Sequence, residues 1–153
     1  MNVTTKKKLV VSMVSALLLS GICGTDAFAK TIDWNKELAK GYHDLEIGNK
    51  KEAEEFFAKK VAKYPTSGAC HVAYGKTLKR LGKLDEAKRE FRSATQNEPT
   101  FADGFYEYGS SLESDKQYKE AAENFTQYLA LSPDASKRKN IEDRIRFCQD
   151  AIQ

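Results

Sequence analysis

Two histidines and three cysteines are the side chains here that could ligate a metal, attack a carbonyl or bridge to one another. Cys70 and His71 are adjacent, and a Cys-His pair closes the motif that attaches haem covalently. That motif needs a second Cys three residues earlier, where Ser67 stands. The pair alone also offers too few ligands for a closed zinc site. Nor do the two make a nucleophile and its base, because consecutive helical residues project roughly 100° apart and do not face each other. Carboxylates crowd together at Glu52, Glu54 and Glu55, the pattern of a solvated helix face. Asn124-Phe125-Thr126 has the form of a glycosylation acceptor, but Phe125 belongs to a core column described below, which puts the triplet inside a helix. No Gly-rich phosphate loop, nucleophile elbow or helical pair of metal-binding histidines occurs. These features point away from an enzyme, and no cofactor and no metal is expected.

The elements that carry these residues are set by a recurrence. Gly41, Gly75 and Gly109 are 34 residues apart, as are Ala53, Ala87 and Ala121, and Phe57, Phe91 and Phe125. Pro65, Pro99 and Pro133 keep the same step, and so do Glu52, Glu86 and Glu120. Five columns in one register define a repeated unit. Within it, Tyr74, Gly75 and Leu78 follow one three-to-four-residue rhythm and Ala87, Phe91 and Ala94 another, so each unit reads as two helices. The small Gly and Ala allow close approach and the aromatic fills the space above them. Gly48 and Gly82 fall between the helices, where a C-terminal cap wants a left-handed backbone. Asn49 to Glu52 resembles a capping box for the second helix. Each Pro closes its unit, having no amide hydrogen to continue the helix. Lys116 occupies the place of Gly48 and Gly82, so a residue with a Cβ is expected in a left-handed turn.

On Tyr74, Gly75, Leu78, Gly82, Ala87, Phe91, Ala94 and Pro99, and again on Phe105, Tyr108, Gly109, Leu112, Tyr118, Ala121, Phe125 and Pro133, the chain resembles the tetratricopeptide repeat family. The resemblance implies an all-α fold, a right-handed α-solenoid of three helix-turn-helix units (34–67, 68–101 and 102–134). The first unit departs from the family pattern, with Lys40 and Asp44 where large apolar residues are preferred. Its first helix instead presents Trp34, Leu38, Tyr42 and Leu45 in a shifted phase. Residues 135–153 break the period. Ile141, Ile145, Cys148 and Ile152 make a one-sided stripe, expected to form a C-terminal capping helix over the third unit, with Phe147 off that stripe. Cys70 and Cys148 would then lie three helix layers apart. Layers spaced roughly 8–10 Å apart exceed the reach of about 7 Å between bridged Cα atoms, so no intramolecular disulfide is expected. Bridging between molecules stays open.

The first residues bear on compartment. Lys6, Lys7 and Lys8 precede an uncharged stretch from Leu9 to Thr25, and Ala27-Phe28-Ala29 has the small-x-small form of a cleavage site. Residues 1–29 are therefore expected to be a cleavable signal peptide, and the protein exported, periplasmic or secreted. A membrane anchor is the rival reading, but the stretch is shorter than the roughly 20 apolar residues of a spanning helix. Lipid attachment at Cys23 is a second rival, disfavoured by the bulky Ile22 before it.

Stacked units of the family line a concave side with their first helices. Carried over by position, the groove comprises Asn35, Leu38, Tyr42, Leu45 and Glu46, then Ala69, Val72, Lys76, Lys79 and Arg80, then Asp103, Tyr106, Ser110, Glu113 and Ser114. Leu38, Tyr42, Val72 and Tyr106 give this face an apolar and aromatic character suited to recognition. Some members of the family clamp a C-terminal carboxylate with Lys, Asn and Arg; Leu38, Tyr42, Ala73, Asp103 and Glu107 stand at those places here, which disfavours an anionic chaperone tail. Residues 68–101 hold seven basic and four acidic groups, whereas 102–134 hold two and seven, a bipolar distribution. The net charge of +3 on 153 residues gives no reason to expect nucleic acid. The expected role is an extracytoplasmic adaptor or scaffold that binds a protein segment in the groove, without nucleic acid and without membrane after cleavage. The alternative is a self-associating or structural subunit of an envelope or secretion complex, a homo-oligomer.

Overall fold

A computed structural model describes residues 32–132 and 135–153. The expected leader and Pro133 lie outside them. Among the described residues there are seven helices and no strand: α1 (Trp34–Glu46), α2 (Lys50–Lys63), α3 (Gly68–Arg80), α4 (Leu84–Asn97), α5 (Ala102–Ser114), α6 (Tyr118–Leu131) and α7 (Ala135–Asp150). They pair as α1/α2, α3/α4 and α5/α6, each pair packs on the next, and α7 packs on α6, giving a right-handed helical solenoid.

The three tight turns inside the pairs share one geometry. Gly48, Gly82 and Lys116 have φ of 88°, 77° and 60°, so Lys116 does carry a Cβ in the left-handed region. The next amide in each turn reaches back over the helix end: Asn49 N donates to Asp44 O at 2.8 Å, Lys83 N to Leu78 O at 2.9 Å and Gln117 N to Leu112 O at 2.8 Å. This wrapped bond positions the following helix. The expected capping box at Asn49 is not formed, since its side chain bonds no helix amide. Asn49, Lys83 and Gln117 have nearly the same backbone angles despite unlike side chains, so the turn rather than the side chain starts the second helix. Side-chain caps occur instead at the first helices of the first two units, where Asp33 accepts from Asn35 N and Lys36 N, and Ser67 accepts from Cys70 N; α5, begun by Phe101, has none.

Each unit buries its recurring Phe completely: Phe57, Phe91 and Phe125 are 0% exposed. The facing glycines leave room for these rings. A Cβ on Gly41 would come within 2.5 Å of Phe57 Cζ, and one on Gly109 within 2.9 Å of Phe125 Cε1. Around the three rings form three apolar clusters, and these are stitched together by shared aromatics. Tyr74 and Phe101 pack against both the first and second, and Tyr108 against both the second and third. A stack joined in this way stabilises each unit through its neighbours.

In α1 the shifted phase sets the rotation. Leu38 and Leu45 turn inward with Gly41, while Trp34 meets Tyr64 edge-on at 5.3 Å. Asp44 is carried inside by that rotation and is compensated by Lys40 Nζ at 2.8 Å.

Helix α7 buries Ile141 and Cys148 against the third unit, with Ile145 partly covered. The apolar stripe stops there: Ile152 lies past the helix end and is exposed, because the chain leaves the helix after Asp150. Phe147, off the stripe, is 55% exposed yet sits edge-on to Tyr118 at 5.7 Å. It extends the cap's contact to the start of α6. Cys70 and Cys148 are both free and buried, one in the first cluster and one in the third.

Candidate functional site

The first helices α1, α3 and α5 lie side by side, α3 touching both of the others. Between α1 and α3 opens a cavity of about 340 Å³ lined by Tyr42, Leu45, Lys76, Lys79, Arg80 and Glu107. A second, of about 240 Å³, is lined by Lys76, Asp103, Tyr106, Glu107, Tyr128 and Lys137. Lys76 and Glu107 belong to both, so the two cavities form one groove. Lys76 Nζ stands 3.3 Å from Glu107 Oε1, an ion pair that divides the groove into halves.

The geometry at each end differs. Tyr42 is 38% exposed and its ring leans on buried Phe57 at 5.3 Å, which holds an aromatic surface toward the cavity. Burial pushes its phenol above the ordinary value, against the pull of the Lys76 ammonium. Lys79 and Arg80 lie at the end of α3, and no carboxylate pairs with either among the described residues. At the other end Tyr106 stacks at a tilt on Tyr128, 5.4 Å between centroids, and Lys137 of α7 faces the same cavity as Asp103.

The placement corrects part of the expected groove. Leu38 and Val72 are each 3% exposed and belong to the core, because the first helix of a stacked unit faces neighbours on two sides rather than one. Leu45 is buried too, but it forms part of the cavity wall beside Tyr42. Ser110 and Glu113 are covered by α7: Arg144 Nη2 donates to Ser110 Oγ at 3.0 Å and Nε to Glu113 Oε2 at 3.1 Å. The guanidinium lies 4.2 Å from the Phe125 centroid and 5.5 Å from that of Tyr106. Tyr42, Lys76, Lys79, Arg80 and Tyr106 thus share the groove with Leu45, whereas Leu38, Val72, Ser110 and Glu113 do not line it. Glu107, expected at a clamp place of the groove, lines both cavities, and Lys137 joins them from outside the expected set. Lys137 lies beyond the end of the period and left no trace in it.

The residues with reactive chemistry are otherwise engaged. Burial raises the Cys70 thiol above its ordinary pKa, against a hydrogen bond to Ser67. Burial raises Cys148 likewise, with Glu113 adding to the effect. Both nitrogens of His71 meet acceptors: Nδ1 is 2.7 Å from Glu90 Oε2 and Nε2 is 2.9 Å from Pro65 O, which also accepts from Asn97 Nδ2. Glu90 raises the imidazole pKa in spite of burial, and a ring protonated at both nitrogens donates to both. His71 is a bolt between the Pro65 turn and α4. Among the described residues no group of three or more His, Cys, Asp or Glu could hold a metal ion, and no helix is long and apolar enough to cross a membrane.

The tetratricopeptide repeat family profile matches residues 69–101 and 102–135. No curated protein matches in sequence. Among solved structures, an Arabidopsis OM64 TPR domain superposes with a TM-score of 0.63 at 20% identity, covering 74% of this chain and 93% of that one. The second TPR domain of human RPAP3, solved in complex with an HSP70 peptide, gives 0.61 at 16% identity and covers 74% and 95%. The Yersinia enterocolitica type III secretion chaperone SycD, in complex with a peptide of the translocator YopD, gives 0.62 at 12% identity and covers 86% and 96%. At these identities the likeness is one of fold.

Proposed function

From a helical stack whose residues 69–101 and 102–135 match the tetratricopeptide repeat profile, we propose that this protein is an adaptor that binds an extended segment of another protein in the groove of α1, α3 and α5. The observation that carries the reading is the groove itself. It is open, two-chambered, and presents Tyr42, Lys76, Lys79, Arg80 and Tyr106 around an apolar wall at Leu45. Aromatic rings held by core contacts and cations on a rigid helix suit recognition of a chain segment. Two neighbours of the same fold were solved with peptides bound, which supports the same class of ligand here. Catalysis is a poor fit, with Cys70 buried and His71 tied at both ring nitrogens. We place the adaptor outside the cytoplasm, on the Lys6–Lys8 n-region, the apolar stretch and the Ala27-Phe28-Ala29 cleavage pattern.

The test is crosslinking from the groove in living cells, followed by mass spectrometry. Replacing Tyr42, Lys79 and Tyr106 together is expected to abolish capture while the helical circular dichroism stays unchanged. A captured protein that binds the triple variant as well as the parent chain would place the site elsewhere. Self-association is the alternative role, and light scattering of the purified chain across salt concentrations separates the two: an adaptor stays monomeric, whereas a self-assembling subunit grows at low salt.

A further inference from the structure

Lys79 and Arg80 stand where the other two first helices carry quite different residues. One repeat earlier the same places hold Leu45 and Glu46, and one repeat later Glu113 and Ser114. Cations at a helix C-terminus complement the helix dipole, but α5 ends without any basic residue in its last turn. The fold therefore does not require the basic pair. In the cavity that they share with Tyr42 and Leu45, the one carboxylate is Glu107, and it faces Lys76. Two positive charges are left beside an aromatic ring and an aliphatic wall. In the other half of the groove, Asp103 and Glu107 are matched in number by Lys76 and Lys137.

We infer that the α1–α3 half of the groove reads an internal acidic residue next to an aromatic or aliphatic one in the partner segment. The acid is held by Lys79 and Arg80, and its apolar neighbour by Tyr42 and Leu45. Arg80 offers the planar fork that matches a carboxylate bidentately, and Lys79 adds a point charge. The apolar side chain covers the Tyr42 ring and removes water from the same chamber, which strengthens the charge contact. The occupant is a protein segment bearing side-chain carboxylates, and no free chain terminus is needed. This inference rests on the groove being a peptide site.

The experiment selects a random peptide library, displayed with both peptide ends blocked by fusion, against the full chain. Enriched peptides are expected to pair Asp or Glu with a neighbouring Phe, Leu, Tyr or Trp. Synthetic copies with acetylated and amidated ends should lose about tenfold or more in affinity to Lys79→Glu/Arg80→Glu, and the loss should shrink at high salt. Tyr42→Ser should weaken the same peptides without changing their acid preference. Peptides that bind through the groove yet keep their affinity after the charge reversal, or that carry no acid, overturn the inference and leave the peptide site standing. Peptides indifferent to Tyr42→Ser and Tyr106→Ser together sink the peptide site itself. Sedimentation of the chain alone completes the test: an association abolished by Lys79→Glu/Arg80→Glu would mean that a second copy, not a partner, supplies the acid. All variants alter exposed or half-exposed groups, and circular dichroism checks that they fold.

Discussion

Replacing Gly75 by Ala isolates the contact on which the middle unit is built. A Cβ there would lie 2.7 Å from Phe91 Cδ1, closer still to Cε1, and 3.0 Å from Cζ. Carbon atoms pack at about 3.5–4.0 Å, so the methyl arrives nearly 1 Å too deep. Phe91 has no free space to retreat into, being 0% exposed in its cluster with Val72, Leu78, Ala87 and Ala94. Overpacking of this kind costs about 1–3 kcal/mol, and the geometry argues for the upper part of that range. Ala gains about 1 kcal/mol over Gly as a helix former. The expected net loss is therefore about 1–2 kcal/mol, read as a lower urea midpoint by far-UV circular dichroism. Phe91→Leu removes Cε1 and Cζ and leaves only a δ-carbon that can turn away, so in that background Gly75→Ala should lose clearly less, a coupling of about 1–2 kcal/mol between the two sites. Gly82→Ala is the control: nothing lies within 4 Å of its Cβ, so any loss comes from φ of 77° and Phe91→Leu should not relieve it. If Gly75→Ala leaves stability unchanged, or loses as much with Leu at 91 as with Phe, the close-packing account of the glycine column is wrong.

Lys116→Gly should be neutral or stabilising by up to about 0.4–1 kcal/mol, as relief at φ 60° competes with a looser unfolded chain; a clear drop in thermal midpoint would refute the turn assignment. His71 holds its proton more tightly folded than unfolded. Its contribution is complete below the unfolded value near 6.5 and fades as pH rises through the higher folded value. Stability should therefore fall across that window in the parent chain and stay flatter in His71→Gln; equal slopes would dismiss the bolt. Arg144→Lys should cost about 1–2 kcal/mol in thermal unfolding, because an ammonium cannot stack on Phe125 while bonding Glu113 and Ser110 together. A Lys variant as stable as the parent would mean that Arg144 contributes charge alone.

What was legible in the residues is what repeats. Gly75, Ala87 and Phe91 could be read because their counterparts recur at the same step, and identical spacing implies identical neighbours. The left-handed turn at Lys116 was legible for the same reason, from Gly48 and Gly82 above it. The site was harder. Position in the repeat says which helix lines the concave side, but not how far each side chain sinks between layers, and so Leu38 and Val72 fell into the core. Ser110 and Glu113 were lost to Arg144, a residue past the last period, whose reach depends on how α7 docks. Phe147 looked misplaced because its partner, Tyr118, is on another helix. The capping box at Asn49 failed because a wrapped backbone bond had already ordered that turn.

Arg144 also bears on how copies of this stack could meet. A solenoid is open by nature, each layer offering the next a matching surface, and copies could in principle add end to end without limit. By laying a cation over Phe125 and Tyr106 and tying it to Glu113, α7 covers the face of the third unit on which a further layer would stack. A filament growing from that terminus would first have to evict it.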